Sequence, residues 1–582
     1  MGTCLSQVDP DSESTGDFVQ FGDRDEDGRP QRKRKCTDIF FLYFFGTFLA
    51  ITCAFLIYCA SIGDVNRILT GYDNCGNVCG EQNKRDGNDV GCVGLDMTSK
   101  PFMLERSNER ICVTNCEQYG YDTIFGRCVP RAGGDVAKAK PFWQNLTEDI
   151  NASKLEIFYM ALISFALVCL TVMLMRYNTE PFIWSILVGG AVAMTLGCVA
   201  IWVLRSTATK REERDMLMSL GIFFTVLTVI LLLCLLVMFK RIKLVVSLFK
   251  EASKAIGAIP HILLEPVATI AAFFISFVVI VYGGILIGSA GNLQMIHEGL
   301  YEYVPNKAVI FTGVIFTVGW IWMLYFFVGC QNMIVGGTIS SWYFIRDKSR
   351  LASPILYATH NLLRYHLGTV AFGSFIMLIM QLIRMLIESL KRRAQNGCGL
   401  CLICCSCIFN ILEEFVRYFS KLAFIVTSMH GVPFCKGGKN AMRLIVDNGL
   451  ATIALNSVGS FILFFINLTI MLTTMLIGYY MMDKPGLHSV WGPLVVSTLI
   501  AFFMAYCVLS VYDTTLDTIF LCFCEDCEIN DGLSRPYYMS AELMIFVENS
   551  KKALEQLEAN KTQPKTEEPR DAWNSTTPAH PA

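Results

Sequence analysis

Long runs of apolar residues recur along the chain, separated by short polar segments. Ile39–Ile62 and Leu217–Phe239 are two such runs, and each is long enough to cross a hydrocarbon core of about 30 Å as a helix. The pattern therefore predicts an all-α, polytopic membrane protein with about ten transmembrane helices. The predicted spans are Ile39–Ile62, Leu155–Met175, Phe182–Leu204, Leu217–Phe239, Glu265–Gly288, Ala308–Val335, Leu367–Leu390, Cys401–Met429, Thr452–Tyr480 and Val490–Cys522.

The composition agrees with a membrane protein and excludes a string of soluble domains. Of the 582 residues, 53% are hydrophobic and 17% are charged, whereas soluble domains carry about 25% charged residues. The lipid bilayer is the expected surrounding, and no part is basic enough to indicate a nucleic-acid partner. The seventh and eighth spans are the weaker predictions because charged residues interrupt them, namely Arg384, Glu413, Glu414, Arg417 and Lys421.

Basic residues near the ends of the spans predict the orientation. The run Arg32–Lys35 places the N-terminus in the cytoplasm, and ten spans return the C-terminus to the same side. Two basic loops, Lys210–Arg214 and Lys391–Arg393, fall outside and disagree with this rule. The second loop would be internal if the seventh and eighth spans only dipped into the membrane. The predicted organisation is a cytoplasmic tail 1–35, a first span 36–62, an extracellular loop 63–153, a transmembrane core 154–525 and a cytoplasmic tail 526–582.

The extracellular loop has the features of a secreted domain. It holds an even number of cysteines in a compartment that is expected to be oxidising, and two glycosylation sequons at Asn145 and Asn151. We expect this loop to be glycosylated and disulfide-bonded, while the pairing stays open. The cysteines are Cys75, Cys79, Cys92, Cys112, Cys116 and Cys128.

The N-terminus begins with a pattern for lipidation. Gly2 fits N-myristoylation and Cys4 is available for a second acyl chain, although a plain disordered tail explains these residues equally well. Enzyme motifs are absent from the sequence, which has no His-Glu-x-x-His, no Gly-x-Ser-x-Gly and no P-loop. We therefore expect no catalytic residues, no resident metal and no cofactor.

The sixth span concentrates aromatic and amide side chains near the middle of the membrane. Trp320, Trp322 and Tyr325 lie within two helical turns, and Gln331 and Asn332 follow. Aromatic faces hold organic cations without a full counter-charge, and amides at this depth are costly unless they face the bundle interior. The span therefore indicates a binding site for an organic cation. Lipid-facing aromatics with one interhelical amide bond would produce the same pattern.

Acidic residues are rare in the clean spans. Glu265 stands at the entrance of the fifth span, and Asp513 and Asp517 stand near the exit of the tenth. Coupling to an ion through a buried carboxylate therefore has few candidates. Because Asp513 and Asp517 are four residues apart on one helical face, a solvated patch at the inner mouth is an equal interpretation.

Five motifs follow one another between residues 36 and 552. They are Gly71-Tyr-Asp73-x-x-Gly76-Asn77-x-Cys79-Gly80, Tyr343-Phe-x-Arg346-Asp347-Lys348, Asn361-x-x-Arg364-Tyr365-His366-Leu367-Gly368-Thr369, Phe520-Leu521-Cys522-Phe523 and Phe546-Val547-Glu548-Asn549-Ser550. Together and in this order, they resemble the choline transporter-like family, solute carrier family 44.

The resemblance implies a ten-span plasma-membrane carrier with both termini inside and a further mitochondrial pool. It implies uptake of choline and ethanolamine for phospholipid synthesis, independent of sodium and either facilitative or proton-coupled. In such a site the aromatic residues would cage the trimethylammonium group and the amides would hold the hydroxyl. The substrate-binding residues expected on this basis are Trp320, Trp322, Tyr325, Gln331, Asn332, Tyr282 and Asn456.

Two other classes of function remain open at this point. The main alternative is a non-transporting scaffold or adhesion protein that displays the cysteine-rich loop. A channel or lipid-handling protein is the third. The sequence indicates no oligomeric state.

Overall fold

The computed structural model describes residues 34–83, 94–106, 109–124, 126–130, 146, 148–297, 300–348, 353–393, 399–447, 449–482, 489–530, 535–541 and 543–544. Helices dominate this part of the chain. In order they are α1 (Ile39–Ile62), α2 (Val65–Leu69), α3 (Lys154–Tyr177), α4 (Thr179–Thr207), α5 (Arg211–Ala258), α6 (Glu265–Ser289), α7 (Lys307–Tyr343), α8 (Pro354–Asn361), α9 (Leu367–Arg393), α10 (Gly399–His430), α11 (Phe434–Asp447), α12 (Gly449–Met482) and α13 (Trp491–Ile529).

The predicted membrane architecture is confirmed. Nine helical segments within the described ranges are long and apolar enough to cross a membrane. The predicted eighth span corresponds to α10, which is not one of these nine segments. It nevertheless lies beside α9 over much of its length, with Glu413 bonded to Arg384 at one end and Phe424 against Gly373 towards the other.

Helix α7 is the centre of the bundle, with contacts to α1, α6, α9, α10 and α13. Small residues along α7 permit this close approach, since a glycine lets neighbouring backbones come together. A Cβ atom at Gly329 would lie 2.9 Å from a methyl of Val370, and one at Gly319 would lie 3.0 Å from the Phe48 ring. The many neighbours of α7 therefore depend on its glycines.

The loop between α1 and α3 contains β-structure that the apolar pattern did not predict. Its four strands are β1 (Phe102–Arg106), β2 (Glu109–Val113), β3 (Tyr121–Ile124) and β4 (Arg127–Pro130). They form one sheet in the order β2-β1-β4-β3, with β1 antiparallel to β2 and parallel to β4. Strands this short need additional links to stay folded. Disulfides Cys79–Cys112 and Cys116–Cys128 supply them.

This small domain is attached to a β-hairpin between α6 and α7. The hairpin consists of β5 (Asn292–His297) and β6 (Leu300–Val304). Arg110 forms a salt bridge with Glu302, and the Arg67 guanidinium lies 4.1 Å from the centre of the Tyr303 ring. The loop domain is therefore fixed onto one end of the bundle.

The two ends of the described chain meet at the opposite end of the bundle. Arg34, before α1, donates a hydrogen bond to the carbonyl oxygen of Ser428 in α10. Asp526, in the last turn of α13, accepts hydrogen bonds from the backbone N–H groups of Tyr538 and Met539. Since both segments lie at the same end, the chain crosses the bundle an even number of times.

Candidate functional site

An aromatic cluster surrounds Trp322 on the side of α7 that faces α1 and α9. We call this group the Trp322 cluster, and it consists of Phe44, Phe45, Phe48, Trp322 and Phe375. The ring centroids of its neighbours lie 4.8–5.6 Å from that of Trp322. Only 1% of Trp322 is exposed.

The indole N–H of Trp322 is also satisfied within the protein. It lies 3.0 Å from the Ser374 hydroxyl and 3.3 Å from the Ala371 carbonyl oxygen, both in α9. A ring that is enclosed on its faces and bonded at its N–H holds three helices together. In this arrangement the Trp322 ring faces protein rather than an open cavity.

The other residues predicted for the substrate do not share one face of the bundle. The Tyr325 hydroxyl lies 3.4 Å from the Gln381 side-chain oxygen in α9, and the indole nitrogen of Trp320 has no hydrogen-bond partner among the described residues. Tyr282 in α6 is 58% exposed on the outer surface. Asn456 belongs to α12, and its side chain lies outside the described residues.

The two amides of α7 contact a row of polar residues on α13. This row, which we call the α13 stripe, consists of Ser510, Asp513, Thr514 and Asp517, whose spacing places them on one helical face. Gln331 donates to the Ser510 hydroxyl across 3.4 Å, and Thr514 donates to the Asn332 side-chain oxygen across 3.3 Å. The sequence-based expectation that these amides face other helices agrees with this geometry.

A lysine from α10 completes the α13 stripe. The ammonium nitrogen of Lys421 lies 2.5 Å from a carboxylate oxygen of Asp513 and 2.5 Å from one of Asp517. The Lys421 side chain is 15% exposed and that of Asp517 is 7% exposed, whereas that of Asp513 is 44% exposed. The two aspartates are therefore not an isolated solvated patch, because a lysine from another helix is bonded to both.

One face of α13 beside Asp513 is open to the outside of the bundle, since Phe502 is 37% and Tyr506 is 57% exposed. Phe502 and Tyr506 precede Asp513 on this face, and their rings are stacked with centroids 6.1 Å apart. Helices α10 and α13 touch over a short stretch only. The open face thus combines aromatic rings with a carboxylate, the two features that attract organic cations.

A second group of charges links α9 and α10. Glu413 is buried and accepts hydrogen bonds from Arg384 and Arg417, which also pair with Glu388 and Glu414. The charges alternate in sign along this row. Arg384 and Arg417 are therefore both paired with glutamates of this same row.

The segment before α1 packs against the end of the bundle at which helices α10 and α13 end. Arg34 donates to His366 across 3.2 Å as well as to Ser428, and it lines a small cavity with Tyr357 and Asn361. Burial lowers the pKa of the Arg34 guanidinium, although arginine stays charged in proteins. His366 ends a π-helical turn, Leu362–His366, of the kind often found at functional sites.

Sequence reasoning identified part of this arrangement and missed Lys421 and Tyr506. Lys421 counted only as an interruption of a span, but a lysine at membrane depth is itself an indication of an acidic partner. The bonded pair Lys421 and Asp513 is separated by 92 positions, which no local pattern connects. Tyr506 lies seven residues before Asp513, and that spacing could have identified it.

The remaining site predictions concern glycosylation, disulfide and lipidation residues, which take no part in the contacts described above. Asn151 is exposed at the start of the segment that leads into α3. Cys75 is also disulfide-bonded. Gly2, Cys4, Cys92 and Asn145 lie outside the described residues.

The fold and the site define a multi-pass helical membrane protein in which polar side chains of α7, α10 and α13 meet inside the bundle. The profile of a family described as plasma-membrane choline transporter matches residues 222–528 of the chain. "Choline transporter-like protein 1" of Torpedo marmorata is 30% identical, over 90% of this chain and 94% of the relative. "Choline transporter-like protein 3" of Bos taurus is 28% identical, over 93% and 96%. The chain belongs to this family of choline transporters.

Proposed function

We propose that the protein carries choline across the plasma membrane and that the α13 stripe forms part of its substrate path. The observation that supports this proposal is the meeting of Gln331, Asn332 and Lys421 with a row of hydroxyl and carboxylate groups. Amides and hydroxyls suit the choline hydroxyl, and a carboxylate beside aromatic rings suits its quaternary ammonium group. The names of the relatives support the same substrate.

The finer features of the proposal come from the family resemblance. We propose ethanolamine as a second substrate, phospholipid synthesis as the use of both, and a further mitochondrial pool of the protein. We also propose that both termini are cytoplasmic, because the disulfide-bonded domain lies at the opposite end of the bundle from Arg34 and Asp526. Transport would then be independent of sodium and either facilitative or coupled to protons.

Uptake of labelled choline into proteoliposomes that contain the full chain tests this function. The expected result is saturable uptake that does not require sodium, with ethanolamine as a competitor. Imposed proton gradients of either sign then separate a facilitative carrier from a coupled one. Absence of uptake by correctly folded protein, at any gradient, would contradict the proposal.

The alternative of a scaffold or adhesion protein rests on the cysteine-rich loop. A loop that serves as a display module has no need of a fixed position on the bundle. Here Asn74 accepts a hydrogen bond from the backbone N–H of Tyr301, and Arg110 is paired with Glu302. This attachment favours a cap on a transporter, and disruption of the Arg110–Glu302 pair should leave choline uptake largely intact.

A further inference from the structure

A cavity lies where the segment before α1 meets α7, α8 and α10, apart from the Trp322 cluster and from the α13 stripe. Arg34 lines this cavity from the segment, and Asn361 lines it from the end of α8. No aspartate or glutamate is among the described residues of its wall. The cavity is therefore polar and basic, and its other polar side chains are those of Ser341, Tyr357, His366 and Ser428.

The positive charge of Arg34 has neutral partners only. Its guanidinium donates to two carbonyl oxygens in the last turn of α10 and to the ring of His366. Among the described residues, no carboxylate lies within salt-bridge distance of Arg34. The acid of the same segment, Asp38, is instead bonded to α9 and to the start of α11. A charge that is partly withdrawn from water is costly unless a charge of opposite sign balances it.

Asn361 is a second group without a sufficient partner at this cavity. It is 6% exposed, and its side chain makes no hydrogen bond to any residue that the structure describes. Since buried amides in native proteins are nearly always hydrogen-bonded, such a group indicates a ligand that the chain itself does not supply. The amide of Asn361 and the guanidinium of Arg34 both carry N–H donors at one cavity, so the ligand must accept hydrogen bonds.

The size of the cavity and its charge identify the class of ligand. The cavity has room for about one water molecule, so sulfate, phosphate and lipid headgroups are too large. A water molecule would fit but would leave the charge of Arg34 unbalanced. A monatomic anion accepts hydrogen bonds from any direction and cancels one positive charge, which meets both requirements.

We propose that this cavity is a binding site for a single chloride ion, held by Arg34 and Asn361. The bound ion connects the segment before α1 with α8 and fixes this segment across the end of the bundle. This assigns a role to Asn361, the first residue of the third sequence motif. The inference goes beyond the proposed function, because it depends neither on the substrate nor on the α13 stripe.

Thermal unfolding of the full chain in detergent measures this binding, with sodium gluconate replaced stepwise by sodium chloride at constant ionic strength. A ligand that binds only the folded state raises Tm, and we expect a saturable rise of about 2 °C or more. Sodium bromide should act in the same way. Sulfate should produce no saturable rise, only the general stabilisation of a salt that is excluded from protein surfaces.

Variants of the two donors assign the response to this cavity. Arg34→Gln removes the charge and should abolish the rise of Tm with chloride. Arg34→Lys keeps the charge without the planar fork and should retain part of the rise. Asn361→Ala removes one neutral donor and should weaken the apparent affinity for chloride by about two- to tenfold.

Lys35→Gln is the matched control, because it removes the neighbouring positive charge, which is exposed, and it should keep the full response. An unchanged chloride response in Arg34→Gln would overturn the inference, as would equal responses to chloride and gluconate in the unaltered chain. Arg34 would then serve only as a cap for the last carbonyl groups of α10.

Hydrogen exchange in the unaltered chain provides a test that does not require a variant to fold. The backbone N–H of Thr37 is bonded to the carbonyl oxygen of Tyr365, and a bound chloride ion that fixes this segment should slow its exchange. The same exchange rate in chloride and in gluconate refutes the site. Neither measurement uses choline, so a negative result leaves the proposed function standing.

Discussion

The Trp322 cluster and the α13 stripe occupy different sides of α7 and differ in almost every property. The Trp322 cluster is apolar and closed, and the only polar group of Trp322 is bonded to Ser374 and Ala371. The α13 stripe is polar and partly open, and it carries one more negative than positive charge. In the sequence, the aromatic residues near the middle of the sixth span were the stronger indication of a binding site. In the structure, the less conspicuous polar residues of the α13 stripe are the ones that remain partly exposed.

The difference shows that one residue type can have two roles, and that the neighbouring residues determine which role it has. A tryptophan in a membrane span either packs against other rings or faces a ligand. The rings of Phe45 and Phe375 lie 4.8 and 5.1 Å from that of Trp322 and occupy the positions that a ligand would need. Within α7, the packing of aromatic rings and the polar contacts to α13 thus lie on different faces.

Replacement of Trp322 by alanine should have the largest effect and should act on folding. The lost contacts and the resulting cavity correspond to about 3–5 kcal/mol of stability for a buried aromatic residue. We expect a sharp loss of folded protein and a lower thermal unfolding temperature in detergent. The molecules that fold should keep the original KM for choline. A stable variant with a strongly raised KM would return Trp322 to the substrate site, as the sequence first indicated.

Replacement of Gln331 by alanine should have a smaller effect and should act on transport. A hydrogen bond from Gln331 to the substrate would contribute about 0.5–1.5 kcal/mol, so a role in substrate binding predicts a KM raised by about two- to tenfold. Ser374→Ala is the matched control, since it removes a hydroxyl that bonds Trp322. It should lower stability and leave KM unchanged. Equal effects of both variants on KM would erase the distinction between the two regions.

The membrane spans could be predicted because about 20 consecutive apolar residues leave a chain few alternatives in a bilayer. The sheet of the disulfide-bonded loop domain could not, because its strands are four or five residues long and depend on disulfides. The interior position of Gln331 and Asn332 followed from the cost of burying an amide. The pairing of Lys421 with Asp513 did not, because tertiary packing alone brings α10 and α13 together.

Replacement of Tyr325 by phenylalanine should have the smallest effect and tests the boundary between the two regions. Tyr325 lies on α7 between the faces that carry Trp322 and Asn332, and its hydroxyl makes one long bond to Gln381, at 3.4 Å. Loss of a bond of this length should change the KM for choline by less than about threefold and stability by less than about 1 kcal/mol. Uptake kinetics and thermal unfolding of the same preparation measure both. A tenfold rise in KM would indicate that the substrate path extends from the α13 stripe towards α9. Gln381 would then hold Tyr325 in contact with the substrate.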